Sequence, residues 1–103
     1  KSCGAIMKVT ANRTRVSSAG TAVQLSNVTD RVLYIKVSAR TGNGNVVYFG
    51  TSTVSSTVGY ELSANDSLEL NLGEQGGTVP LSTFWADAGG SNQDLDWVAI
   101  TED

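Results

Sequence analysis

The chain has no histidine, one cysteine, one proline and, beyond Arg40, no lysine or arginine. The missing histidine removes the commonest general base near neutral pH and the commonest metal ligand. A Ser-His-Asp triad or a zinc site of the usual kind is thereby excluded on residue count. Cys3 has no second thiol for an internal disulfide and no histidine to activate it. It reads as an idle thiol or, at most, a cross-link between two copies. No apolar run approaches the roughly 20 residues of a membrane span, and no signal peptide is visible. No stretch of ten or more residues carries the helical apolar spacing i, i+3, i+4, i+7, so no substantial helix is expected. Carboxylate pairs are the remaining route to catalysis, but that chemistry sits in deep clefts that a small β-domain rarely forms. We expect no enzyme, no cofactor and no metal.

What is present is a complete charge split. Residues 1–40 hold all seven bases (Lys1, Lys8, Arg13, Arg15, Arg31, Lys36 and Arg40) against the single acid Asp30, a net of +6. Residues 41–103 hold nine acids and no base, so the whole chain is at −3. Such a split bears on what a surface attracts rather than on which fold forms. Either the halves neutralise each other within one fold, or opposite faces meet between copies or partners. Lys8, Arg13, Arg15, Arg31 and Arg40 are the candidate partner-contact residues, with Lys8, Arg13 and Arg15 expected near an acidic surface of a neighbour. Nucleic acid is not the expected partner. The pI near 4.7 opposes attraction to phosphate, and the basic segment has only Tyr34 for stacking.

Alternation supplies the secondary structure. Leu33, Ile35, Val37 and Ala39 mark one face of a strand, and Leu68, Leu70 and Leu72 mark another. Leu95, Trp97 and Ala99 alternate with Asp96, Val98 and Ile100, as in a strand buried on both sides. Val46–Phe49 and Val79–Ala86 are further candidates, the second demoted to a strand end or edge by Pro80. Val9–Val16 and Thr21–Leu25 are weaker. Residues 41–45, Thr-Gly-Asn-Gly-Asn, carry a hairpin signal. Other polar turns fall at 64–66, 73–77 and 89–92. Seven or eight short strands about ten residues apart point to one all-β domain, an antiparallel β-sandwich of jelly-roll type in its specific form. We place it at 9–103, behind an N-terminal arm or tag remnant at 1–8. A domain of this length buries roughly 65% of the surface its unfolded chain exposes, so it needs no disulfides. The expected core is Leu33, Ile35, Val37, Leu68, Leu70, Leu72, Leu95 and Trp97. Leu70→Ala should cost about 2–5 kcal/mol if that side chain is fully buried.

Two features have rival readings. Asp87, Asp94 and Asp96 flank the 89–92 turn and offer oxygens to calcium, but their spacing does not match an EF-hand loop. A solvated acidic loop is the preferred account. Tyr48, Tyr60, Trp85 and Trp97 would serve a sugar-stacking platform, yet a small sandwich needs the same aromatics for its core and a sealed interface.

Residues 45–72 combine a strand ending in Tyr48-Phe49-Gly50, a Thr/Ser/Val turn, Gly59-Tyr60-Glu61-Leu62, the polar turn at 64–66 and the alternating leucine strand. Preceded by Ala22–Asn27 and Arg31–Ile35, this order resembles small β-rich virion proteins of tailed bacteriophages. The likeness spans roughly residues 20–100 and carries no catalytic residue. Where that pattern often has glycine in the polar turn, this chain has Asn65-Asp66. The resemblance implies a capsid decoration or minor head or tail part in the virion. Its partners would be its own copies, a trimer by analogy, and a larger capsid protein. The composition agrees, because a surface rich in Ser, Thr, Asn and Gly loses little side-chain entropy on entering an interface. The alternative is a carbohydrate-binding module or receptor-binding tip.

Overall fold

The computed structural model describes residues 7–102. Cys3 and the first six residues of the expected arm lie outside that range. The chain runs through β1 Met7–Val16, β2 Val23–Gln24, β3 Arg31–Ala39, β4 Val47–Gly50, β5 Tyr60–Leu62, β6 Ser67–Asn71, β7 Val79–Pro80, β8 Trp85–Ala88 and β9 Gln93–Glu102. The only helical element among the described residues is a 3-10 turn, Leu81–Thr83. Met7 and Lys8 already belong to β1.

All strand pairs are antiparallel. A long sheet has the order β1-β9-β3-β6, with β7 beside the start of β3, and a short sheet has the order β2-β8-β4-β5. The interleaving of first and last strands across two sheets is that of a jelly roll. Val16, Ile35, Val37, Leu95, Trp97 and Ala99 from the long sheet meet Val47, Phe49, Leu62, Ala86 and Ala88 from the short one. Phe49 stacks on Phe84 with ring centroids 5.4 Å apart. Trp97 is 4% exposed, and its indole N–H donates to Thr14 Oγ1 at 3.1 Å.

Four expectations need correction. Leu33 is only half-buried, because it is an extra residue of β3 between the pairs Val32–Thr101 and Tyr34–Ile100. This bulge switches phase, so Val32, Ile35, Val37 and Ala39 face inward. Leu68, Leu70 and Leu72 pack against the core but are likewise half-buried, lying on or just beyond an edge strand. Residues 41–45 do not make a hairpin, since β3 and β4 belong to different sheets. A tight hairpin needs positive φ, and none of these five residues has it. Instead, the Asn43 side-chain amide donates to the Asp94 carbonyl and its oxygen accepts the Asp94 N–H. That pair turns the chain across the end of the sandwich. Val79–Ala86 is not one strand either, because the 3-10 turn after Pro80 carries the chain from one sheet to the other.

Candidate functional site

The basic residues gather on the long sheet because β1 and β9 pair in a register that opposes Arg13 to Asp96 and Arg15 to Asp94. Directly opposed side chains share a face. Arg15 grips Asp94 with two bonds, Nε to Oδ1 at 2.9 Å and Nη2 to Oδ2 at 3.1 Å. Arg13 Nε donates to Asp96 Oδ1 at 3.2 Å, and Arg40 Nη1 reaches Asp96 Oδ2 at 3.0 Å from the far side. Lys8 pairs with Asp30. Arg31 is held by the hydroxyl and carbonyl of Thr78. Four of the five candidate contact residues therefore meet acids of their own chain.

The Arg15 fork holds the Asp94 carboxyl below the usual carboxylate range, against the opposing effect of its burial. Asp94 in turn raises the Arg15 guanidinium. Asp94 and Asp96 thus form an ion ladder on a strand rather than part of a solvated loop, while Asp87 lies on β8 in the other sheet. No three acids or cysteines gather to hold a metal ion among the described residues. The sequence contained the signal for this ladder. Arg13-x-Arg15 near one end and Asp94-x-Asp96 near the other are opposite charges at strand period, which antiparallel pairing matches.

Beyond the ladder, β1 becomes an open edge. Among the described strands it has one neighbour, β9, and every residue from Met7 to Arg13 is exposed. The hydrogen-bond phase follows from one contact. Arg40 N–H donates to the Asp94 carbonyl, so even-numbered β9 residues bond toward β3 and odd-numbered ones toward β1. Lys8, Thr10, Asn12 and Thr14 therefore pair with β9, and the backbone groups of Met7, Val9, Ala11 and Arg13 point outward. Arg13 N–H accordingly turns to the Asn12 side-chain oxygen at 2.8 Å. Met7 and Val9 are 62% and 71% exposed. On the same outer face Val9 lies opposite Ile100, and Ala11 opposite Val98. Sequence reading missed this apolar corner because an alternating strand does not reveal where its sheet stops being covered.

The four candidate platform aromatics are not brought together. Trp97 is buried in the core. Tyr48 and Trp85 are half-buried on the outer face of the short sheet, diagonal across β4 and β8. Tyr60 is 53% exposed at the sheet's margin, opposite Phe49. A cleft of about 370 Å³ lies over Asp87, between residues 19–20 and 55–56. Asp87 Oδ1 accepts the N–H groups of Gly20 and Ala88 there, which ties the loop to β8. The cleft is walled by glycine, alanine and serine and includes no second carboxylate.

No family model matches the sequence, and no curated protein matches it significantly. Among solved structures, the chain is similar to a protein of the Bacillus endospore appendages, which form a family of disulfide-linked pili. The TM-score is 0.53 at 14% identity, over 93% of this chain and 85% of that one. The SPBc2 prophage-derived protein YomS superposes with a TM-score of 0.45 at 11% identity, over 95% of this chain and 96% of that one. The first likeness is one of fold.

Proposed function

We propose that this chain is a non-enzymatic structural subunit that assembles with its own copies, and that it serves in a virion as a decoration or cement subunit on a larger capsid protein. The observation that carries this reading is the open β1 edge with Met7 and Val9 exposed along it. Isolated soluble proteins cover, shorten or twist away such edges, and an edge left open is a template for pairing. The low charged fraction, 17%, fits a surface destined for contact. Arg13, Arg15 and Arg40 already hold acids within the chain, so a neighbour's acid competes with Asp94 and Asp96 for them. Charge then contributes more to orientation and association rate than to affinity. A closed trimer is the assembly this reading favours on a shell.

The fold likeness to a pilus protein supports a second reading, an open polymer in an appendage. One cysteine per 103 residues joins at most two copies, so disulfides within this stretch do not propagate a chain of subunits. Such a polymer would rest on noncovalent contacts.

Sedimentation velocity from micromolar concentration upward, with electron microscopy of the same samples, tests both. Closed rings favour the decoration subunit and filaments favour the appendage. A chain that stays monomeric throughout defeats the structural-subunit reading. Titration of tryptophan fluorescence with oligosaccharides should give no response, and saturable quenching would favour a sugar-binding module.

A further inference from the structure

We infer that copies join head to tail, the β1 edge of one pairing with the β6 edge of the next, so that the long sheet runs on from subunit to subunit. This rests on the self-assembly reading and names the surface that does the work. Among the described strands, the long sheet ends in β1 on one side and β6 on the other, whereas the short sheet's edge strands β2 and β5 have two and three residues.

The phase of β6 is fixed like that of β1. The Ala39 N–H donates to the Asp66 carbonyl, and the Ala39 carbonyl accepts from Asn65. Odd-numbered β3 residues therefore bond toward β6, in the register Ile35–Leu70 and Val37–Leu68. The backbones of Ser67, Glu69 and Asn71 are left pointing outward. These three side chains lie on the long sheet's outer face, as do those of Met7, Val9, Ala11 and Arg13. Outward-bonding residues of both edges thus belong to the same face, as a continuous sheet requires. The strand count agrees as well. Counting both edges, the path β1-β9-β3-β6 has four antiparallel strands, so a copy displaced across the sheet presents β1 antiparallel to β6.

Charge favours this pairing over a twofold β1–β1 contact, although Lys8, Arg13 and Arg15 already hold Asp30, Asp96 and Asp94 of their own chain. A β1–β1 seam brings Lys8, Arg13 and Arg15 of both copies together. The β6 edge offers Glu69 with Asp66 and Glu74 at its ends. None of these three acids takes part in an ion pair among the described residues. Glu69 accepts the Tyr34 hydroxyl at 2.6 Å and stands opposite Lys36 in the β3–β6 register, without an ion pair to it. A contact between two different edges leaves one of each free, which generates a ring when the rotation closes and a filament when it does not.

Two one-sided blocks test this. Val9→Pro and Glu69→Pro each remove an outward N–H that the fold itself does not use. With far-UV spectra and tryptophan emission showing intact folds, each variant alone should sediment as a monomer. Their equimolar mixture should form a one-to-one dimer and nothing larger. Glu69→Lys, an exposed change that spares the backbone, should weaken wild-type-like assembly by at least about fivefold. Assembly of Glu69→Pro alone, a mixture that stays monomeric, or undiminished association of Glu69→Lys would overturn the β1–β6 contact while leaving self-assembly standing. A wild-type chain that is itself monomeric at the highest concentration overturns both.

Discussion

The two sheets of this sandwich differ in length and in chemistry. The long sheet has strands of ten, ten, nine and five residues along its main path, and the short sheet has strands of two, four, four and three. Long-sheet strands carry Lys8, Arg13, Arg15, Arg31 and Lys36, whereas short-sheet strands contain no base at all. The short sheet acts as a lid that covers only part of its partner. What the lid leaves uncovered, at the Met7 end of β1, is where the open edge appears. In this fold, an exposed sheet edge comes from a mismatch in strand length.

The strongest challenge to that picture is directed at the shared core. Trp97→Ala in the long sheet and Phe49→Ala in the short one should each cost about 3–5 kcal/mol in urea denaturation. Comparable losses show one core common to both sheets, and a mild Trp97→Ala would mean that the long sheet is stabilised elsewhere. Next comes the lid's own loop. Val54 folds back onto the short sheet beside Gly50 and Gly59. A Cβ on Gly59, at φ +144°, would lie 2.7 Å from Val54 Cγ2 and 3.1 Å from the Phe49 carbonyl oxygen. Gly59→Ala should therefore destabilise by about 1–3 kcal/mol. Gly42→Ala, with nothing within 4 Å, should stay within about 0.5 kcal/mol.

At the margin of the lid, Leu70→Ala should cost about 1–2 kcal/mol, below the range for a fully buried leucine, because that side chain is already partly exposed to water. The ion ladder gives a smaller, pH-dependent effect. Asp94 is held below the ordinary carboxylate range, so its contribution is fully present above the unfolded value and is lost as pH falls through the folded one. Arg15→Ala removes the main cause of that depression. Acid unfolding should then begin at a higher pH, as followed by circular dichroism. An unmoved transition would detach the ladder from stability. Smallest of all, Val9→Thr should leave monomer stability within about 0.5 kcal/mol, since the side chain is solvated.

Much of the architecture was readable from residue order. Alternation marked β3, β6 and β9, and the polar residues at 64–66 marked a turn. There Asn65 takes φ 75°, the left-handed conformation that asparagine tolerates where glycine is the usual occupant. Other features depended on tertiary partners that local sequence does not name. The Gly-Asn-Gly run carries a hairpin signal, but Asn43 bonds with Asp94 instead, and the extra residue in β3 takes Leu33 out of the core only because β9 fixes what stands opposite. The basic residues were identified as contact candidates, but the acids that hold Arg13 and Arg15 lie about eighty positions away. Matching the two period-two charge patterns would have found them. The exposed corner at Met7 and Val9 had no comparable sequence signal, because its exposure comes from where β2 and β8 end.

The bond from the Trp97 indole to Thr14 divides β1 into two stretches of unequal security. Thr14 and Val16 are anchored in the core, while Met7 to Arg13 are held chiefly by one ladder to β9 and solvated on both faces. Opening the N-terminal stretch exposes almost no apolar core, so it is a low-energy event compared with unfolding. Amide hydrogen exchange should therefore be graded along a single strand, fast at Lys8 and Thr10 and slow at Thr14, under conditions that leave the emission of Trp97 unchanged. Docking against a second strand would abolish that gradient, so the amides of Lys8 and Thr10 report on β1 pairing without any added label.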